Sequence, residues 1–178
     1  MRPELMLDTP RLTLRSWTLE DRPLMQLLPL DEGLNTFCVP GTYAYQNEKD
    51  LDDKLAQRIS LYQEKGLGKF IIELKETKEF VGLCGVGSYE LKGKNIHELA
   101  YRLRRPYWGQ GLGTEVSRAM LQYAFEELEF SEVYAFADPQ NAASLNIIKK
   151  LGFTFHGKIM YADVPHHVFV LLKKDWKA

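Results

Sequence analysis

The sequence predicts an α/β fold: one mixed sheet with helices packed on it. Three observations carry that expectation. Segments whose apolar residues alternate with period two are interleaved with segments whose apolar residues recur every three to four positions, in the order β-α-α-β-β-β-α-β-α-β-β. That order combines hairpins with two strand-to-helix crossovers, which makes the sheet a mixed one. The length, 178 residues, amounts to about one domain at roughly 150 residues per domain, so residues 1–178 are expected to form a single unit.

The elements follow in order. Pro10 bars a helix before Arg11–Arg15, whose alternation is that of a half-buried strand. Thr18, with Asp21 three residues on, resembles a capping box for a helix that reaches about Leu28 and ends at Pro29. A turn-rich stretch continues to Gln46. Asn47 caps a second helix with Leu51, Leu55, Ile59 and Tyr62 on one face, and Gly66 is placed to end it. Lys49, Lys54 and the acids around them form its solvated side. Lys69–Leu74 and Phe80–Leu91 read as an antiparallel hairpin, in which Gly82, Gly85 and Gly87 either weaken the second strand or let something approach it. From His97 to Arg104, Leu99, Tyr101 and Leu103 share one face and Glu98, Ala100, Arg102 and Arg104 the other, until Pro106 stops the strand. A helix from Thr114 to about Leu128, a strand at Val133–Ala137 and a helix from about Ala142 to Leu151 come next. Strands near Phe153–Tyr161 and His167–Lys173 complete the chain.

Composition narrows the function. With 45% hydrophobic and 26% charged residues the chain can bury a real core. Its 23 basic and 24 acidic side chains leave a net charge of −1, which argues against nucleic acid as the main partner. Cys38 and Cys84 cannot staple a chain of this size and lack metal-ligand spacing, so both read as buried thiols in a reducing compartment. The first residues meet Asp8 and Arg11 before a signal-peptide core forms, and the run Val168–Leu172 is too short to span a bilayer. A soluble, cytoplasmic protein without a membrane partner is expected, as monomer or homodimer. His166 and His167 diverge from neighbouring strand positions, and there is no HExxH motif or cysteine cluster, so no metal is expected.

The most informative segment is Trp108-Gly109-Gln110-Gly111-Leu112-Gly113-Thr114, after a strand and opening a helix. Amide N–H groups in the first helical turn lack partners, and glycines let a ligand reach them without a Cβ in the way, so the loop can hold a pyrophosphate. It is equally readable as a tight connection that uses glycine for turn geometry. No Lys follows Gly113, which excludes a P-loop. Glycines at 109, 111 and 113 do not fit GxGxxG, and the 40 residues after Asp138 are too few for a second dinucleotide-binding half.

The run from His97 through Arg104-Arg105-Pro106 into WGQGLGT resembles the acyl-coenzyme A binding motif of GNAT N-acetyltransferases, with Gly111 and Gly113 at its two small positions. Trp108 stands where Gln or Arg is usual, as in the branch that acetylates ribosomal-protein N-termini. Asp138-Pro139-Gln140-Asn141-Ala142-Ala143-Ser144 with Lys150-Leu151-Gly152-Phe153, and the opening Thr9-Pro10-Arg11-Leu12-Thr13-Leu14-Arg15, are similar to the same branch. The resemblance spans about Thr9 to Phe169. It implies the GNAT fold: a mostly antiparallel mixed sheet, splayed between its central strands at Leu99–Leu103 and Val133–Ala137, with helices on both faces. It also implies acetyl-coenzyme A as co-substrate. The backbone of Tyr101, Arg102 and Leu103 would pair with the pantetheine arm, Gly109, Gln110, Gly111, Leu112, Gly113 and Thr114 would hold the pyrophosphate, and Asn141 would present its amide while capping a helix.

Acetyl transfer needs a neutral amine, a polarised thioester carbonyl and a proton for the leaving thiolate. The family pattern places the Leu103 N–H on the carbonyl. The tyrosine that many members place seven residues after the Asn is Ile148 here. Ser144 is the implied replacement; it also reads as a first-turn serine satisfying backbone. Glu98 is the candidate base, or else a solvated glutamate paired with a cation, and His97 points to the opposite face. Phe37, Tyr43 and Tyr45 lie where the family builds its acceptor pocket. The acceptor is a small amine or a protein N-terminus. A non-catalytic acyl-coenzyme A sensor, and an interaction module whose glycines are only turns, are the alternatives.

Overall fold

The computed structural model describes residues 2–161 and 163–177. Eight strands form one sheet: β1 (Met6–Asp8), β2 (Leu12–Arg15), β3 (Gly68–Leu74), β4 (Phe80–Leu91), β5 (Lys94–Leu103), β6 (Glu132–Ala137), β7 (Thr154–Tyr161) and β8 (Val164–Leu172). Their order is β1-β2-β3-β4-β5-β6-β8-β7. Neighbours are antiparallel except β5 and β6, which run parallel and meet at one register pair, Glu98 with Tyr134. Beyond that pair the two strands part.

Helices cover both faces. On one, α4 (Leu112–Gln122) and α5 (Ala142–Lys150) bury Leu112, Val116, Met120 and Ile148 against Phe70, Ile72, Leu99 and Leu103. On the other, α1 (Arg22–Leu27), α2 (Glu32–Asn35) and α3 (Glu48–Lys65) close a second cluster around Met25, Leu34, Leu51, Leu55, Ile71 and Leu83. Alternation along β3 and β5 therefore turns Lys69, Glu98 and Arg102 toward the α1–α3 side. Asn47 caps α3, its side chain accepting from the Asp50 N–H, and Gly66 ends it with a φ of 70°.

Four elements depart from the expectation, the first being the helix from Thr114 to about Leu128, which is α4 followed by a π-helical segment (Tyr123–Glu127). β1 is an additional edge strand, three residues long and too short to show alternation. The turn-rich stretch contains α2, capped by Asp31, whose side chain accepts from the Leu34 N–H. There a Cβ on Gly33 would lie 2.3 Å from the Arg105 nitrogen, so the helix rests directly on the chain leaving β5. The expected helix from Thr18 is a 3₁₀ turn (Leu19–Asp21), then α1, then a second 3₁₀ turn (Leu28–Leu30) at Pro29. Its opening holds: the Asp21 carboxylate accepts from the Thr18 N–H at 2.8 Å and from the Arg15 guanidinium at 2.8 and 2.7 Å. Cys84 is buried, but Cys38 is half-buried, with its Sγ 3.1 Å from the Leu34 carbonyl.

Gly82 and Gly85 serve the second of the two readings, because neighbouring backbone approaches them. A Cβ on Gly82 would sit 2.1 Å from the Arg102 carbonyl oxygen, and one on Gly85 would sit 1.8 Å from that of Gly68. At Gly87 a Cβ would meet nothing within 4 Å. Gly85→Ala is expected to cost about 1–3 kcal/mol of unfolding free energy in urea titrations, the usual penalty of overpacking, while Gly87→Ala stays close to wild type. Equal stabilities for the two variants would show that the β3–β4 approach does not require glycine.

Candidate active site

Where β5 and β6 part, backbone groups face a gap. The Arg104 N–H bonds the Val81 carbonyl at 2.9 Å, and alternation turns the main-chain groups of Arg102 toward β4 as well. Those of Tyr101 and Leu103 point the other way, into the gap. This corrects the expectation for Arg102, whose main chain is committed within the sheet; only its side chain is free to serve a ligand. The Leu103 carbonyl accepts from the Trp108 indole N–H at 2.6 Å, which gives the tryptophan in the glycine motif a structural task.

The glycine loop closes one end of the gap. Gly109 and Gly111 take φ of 73° and 78°, and Gly111 caps α4 without any side chain. The first intrahelical bond runs from the Glu115 N–H to the Gly111 carbonyl at 3.1 Å, so the N–H groups of Leu112, Gly113 and Thr114 precede it. A Cβ on Gly113 would come within 3.0 Å of Ile147 and 3.1 Å of the Tyr101 ring, so this glycine brings α4, α5 and β5 together. The segment before β2 ties the loop down. Glu115 accepts from the Thr9 hydroxyl (2.6 Å), the Arg11 N–H (2.9 Å) and the Arg11 Nε (2.7 Å), and Arg11 also donates to the Gln110 carbonyl at 2.9 Å. The Gln110 side chain folds back onto the Pro106 carbonyl at 2.8 Å and does not border the cleft, unlike the other loop residues expected there.

Two cavities meet at the gap. One, about 300 Å³, runs along the loop and is bordered by Leu103, Gly109, Gly111, Leu112, Gly113 and Thr114. The other, about 200 Å³, contains Glu98, Lys69, Ser144 and His166. Tyr101, Arg102, Asn141 and Phe37 border both. Burial raises the Glu98 carboxyl above its ordinary pKa, and the nearby Lys69, Arg102 and His166 offset only part of that rise. Glu98 thus lines the smaller cavity and is half-buried. His97 is on the opposite face, stacked on Phe130 at 3.7 Å. Asn141 caps α5, its Oδ1 accepting from the Ser144 N–H at 3.0 Å. Burial pushes the Tyr101 phenol up to about 12, a rise the Ser144 hydroxyl beside it partly offsets. Ile148 is buried under the same cavity.

Of the connection aromatics only Phe37 reaches the cavities; Tyr43 is core and Tyr45 packs against it, 3.8 Å from the Met25 sulfur. His166 lines the smaller cavity while His167 packs edge-on against Phe155. Among the described residues no three His, Cys, Asp or Glu side chains are grouped to hold a metal, and no helix is long and apolar enough to cross a membrane. The side chains of Lys69, Arg102, Tyr101 and His166 were not read as site groups from sequence. The available signal was a pair of cations on strand positions facing the same side as Glu98.

A splayed sheet with a glycine-capped helix at the gap is the architecture that the resemblance to GNAT N-acetyltransferases implied, and comparison with known proteins agrees. The family described as "Acetyltransferase (GNAT) domain" matches residues 11–154, and the chain belongs to that family. It is 26% identical over 176 residues to the uncharacterized N-acetyltransferase p20 of Bacillus licheniformis, covering 96% of this chain and 97% of that protein. Identity to the uncharacterized protein YkkB of Bacillus subtilis is 35% over 108 residues, 60% of this chain and 63% of that one, so the match spans less than two thirds of YkkB. The solved structure of RimL, a ribosomal L7/L12 α-N-protein acetyltransferase in complex with coenzyme A, superposes with a TM-score of 0.79 at 16% identity, over 94% of this chain and 98% of that one.

Burial alone would raise the Glu115 carboxyl, but the bonds from Thr9 and Arg11 outweigh it and hold the group below the ordinary 4.5. A depressed carboxyl stabilises the fold above its unfolded pKa, and that contribution is lost as pH falls through the folded value. Glu115→Gln is therefore expected to lose about 1 kcal/mol in urea unfolding at pH 7, with the gap to wild type closing below pH 4.5. A gap that stays constant with pH would mean that the anchor does not act through its charge.

Proposed function

We propose that this chain transfers an acetyl group from acetyl-coenzyme A to a primary amine by direct attack within a ternary complex. The observation that carries the reading is the parting of β5 from β6 after the Glu98–Tyr134 pair, between a helix N-terminus without a side-chain cap and a cavity containing Glu98. Free N–H groups at Leu112, Gly113 and Thr114 suit a pyrophosphate, and the outward main chain of Tyr101 and Leu103 suits the amides of a pantetheine arm. RimL, of the same fold, binds coenzyme A.

The thioester supplies an activated acetyl carbonyl, and the residues supply proton traffic and polarisation. As the amine nitrogen bonds to the carbonyl carbon, the Leu103 N–H stabilises the developing oxyanion, the carbon–sulfur bond breaks and the thiolate leaves. Glu98 takes the ammonium proton, directly or through water, and its raised pKa brings it closer to that task than an ordinary glutamate. Ser144, with the Tyr101 phenol beside it, donates to the thiolate sulfur in place of the acid that Ile148 does not provide.

Release of free thiol from acetyl-coenzyme A, assayed against a panel of amines and peptides, tests the reading, and thiol release with no member above the solvent background would overturn it. In that assay Glu98→Gln should lower kcat about 100-fold at pH 7, with partial recovery at high pH, where free amine forms unaided. Wild-type activity should fall on acidification at a higher pH than an ordinary glutamate would dictate. A wild-type rate and pH profile in the variant would remove Glu98 from the mechanism. Ser144→Ala should lower kcat about tenfold while leaving the affinity for acetyl-coenzyme A close to wild type, because the hydroxyl acts as charge develops on sulfur. Loss of affinity in proportion to kcat would make Ser144 a binding residue.

A further inference from the structure

The cavity that contains Glu98 is lined by two cations, Lys69 and Arg102, and by two carboxylates, Glu98 and Asp138. Among the described residues neither cation forms a salt bridge, although the Tyr43 hydroxyl lies beside Arg102. The Arg102 Nε is buried without a partner. Three arginines elsewhere in the chain are paired: Arg11 with Glu115, Arg15 with Asp21 and Glu73, Arg104 with Asp31. A third cation, Arg58, stands behind the cavity over the Trp17 ring at 5.0 Å and adds to the field at Lys69. Against these stand Glu98 and, at the margin, Asp138, whose Oδ1 is engaged by the Gln140 N–H at 2.7 Å. The His166 Nδ1 lies 3.0 Å from the Val164 carbonyl oxygen, and the imidazole adds no negative charge.

We propose that the acceptor is a small amine that also carries an anionic group, a carboxylate or a phosphate, with Glu98 receiving the amine and Lys69 and Arg102 receiving the anion. The inference rests on the acetyl-transfer reading and names the substrate class for its site. An unpaired cation surrounded by protein is costly, and a ligand anion removes that cost for both side chains at once. Burial has already lowered the Lys69 pKa, which an anion beside it would reverse. A polyamine would instead bring a second ammonium against two cations, a repulsive arrangement that selects against it. The cavity volume of about 200 Å³ lies below the roughly 300–1,000 Å³ of pockets that enclose drug-sized ligands, which favours a small molecule.

Three amines of matched length isolate the charge: propylamine, β-alanine and 1,3-diaminopropane, with 2-aminoethyl phosphate as the phosphate counterpart. With acetyl-coenzyme A saturating and rates expressed per free amine, β-alanine or 2-aminoethyl phosphate is expected to exceed propylamine in kcat/KM by about tenfold or more, the size of one charge-assisted bond, and 1,3-diaminopropane to rank last. Lys69→Met should raise KM for the anionic acceptors and shrink their lead over propylamine, and Lys69→Arg should restore part of it. Lys69 borders only the smaller cavity, so this variant separates acceptor recognition from donor binding, in which Arg102 is placed to share. Preference for propylamine or the diamine in wild type overturns the inference while leaving acetyl transfer intact, and so does a lead that Lys69→Met leaves unchanged. If Lys69→Met does not fold, the wild-type order decides alone. Absence of thiol release with every amine, despite acetyl-coenzyme A binding in calorimetry, overturns the transfer reading and this inference together.

Discussion

The single register pair between β5 and β6 is the constraint on which the rest of the molecule turns. Two parallel strands in the middle of an eight-stranded sheet would ordinarily zip along their length, because unpaired main-chain groups away from water are costly. Here each strand is fully paired on its outer side, β5 to β4 and β6 to β8, so the sheet survives the breach. What remains is a row of main-chain donors and acceptors held rigidly and facing a gap. Trp108 satisfies the Leu103 carbonyl, and the other groups are left to what enters. An extended ligand with alternating amides would complete the sheet, so recognition there depends on backbone direction and leaves side chains free to vary.

Rigidity on one side of that gap comes from far along the chain. Glu115 lies in the first turn of α4, yet its partners Thr9 and Arg11 precede β2, more than a hundred residues earlier. The carboxylate near a helix N-terminus also opposes the positive end of the helix dipole, which would otherwise be available in full to an anion. Its bonds to Arg11 moderate that competition: the charge of Glu115 is neutralised sideways while the N–H groups at the cap stay open. The same guanidinium holds the Gln110 carbonyl, so one side chain positions both the loop and the helix that follows it. On the other side, Gly33 and Gly82 let α2 and β4 press directly on the backbone of Arg102–Arg105. The strand that would present the Leu103 N–H is thereby held by α2 where it ends and by β4 along its edge.

Much of this was legible in the sequence because its signals are local. The α3 helix announces itself by Asn47, a four-residue apolar stripe and Gly66, and the β3–β4 hairpin by two apolar runs around a polar turn; each signal needs only neighbours within a helical turn or a strand. β1 escaped because three residues carry no period, and α2 because four residues form a helix only where Asp31 caps it and Arg105 receives it. Gln110 sat inside a convincing motif, but its side chain is claimed by the Pro106 carbonyl, and no pattern of residue types reveals which way an amide folds. The Glu98 surroundings were the largest omission. Lys69, Arg102 and His166 come from three strands whose adjacency depends on sheet order, a long-range property that periodicity does not encode.

Those surroundings also explain how one small cavity could combine two demands that conflict in water. A base for an alkylammonium works best when its pKa is drawn up toward that of the amine, and burial does this for Glu98. Cations placed nearby work against it, since each lowers the same pKa. Burial prevails over those cations in the direction of the Glu98 shift, and no salt bridge among the described residues joins either of them to the carboxylate. An anion arriving with the acceptor would draw their charge toward itself and release Glu98 further upward. Binding of the correct acceptor would then strengthen the base at the moment it is needed, and an amine without an anion would leave it weaker. Selectivity in such a site resides in the rate of the proton transfer as well as in affinity.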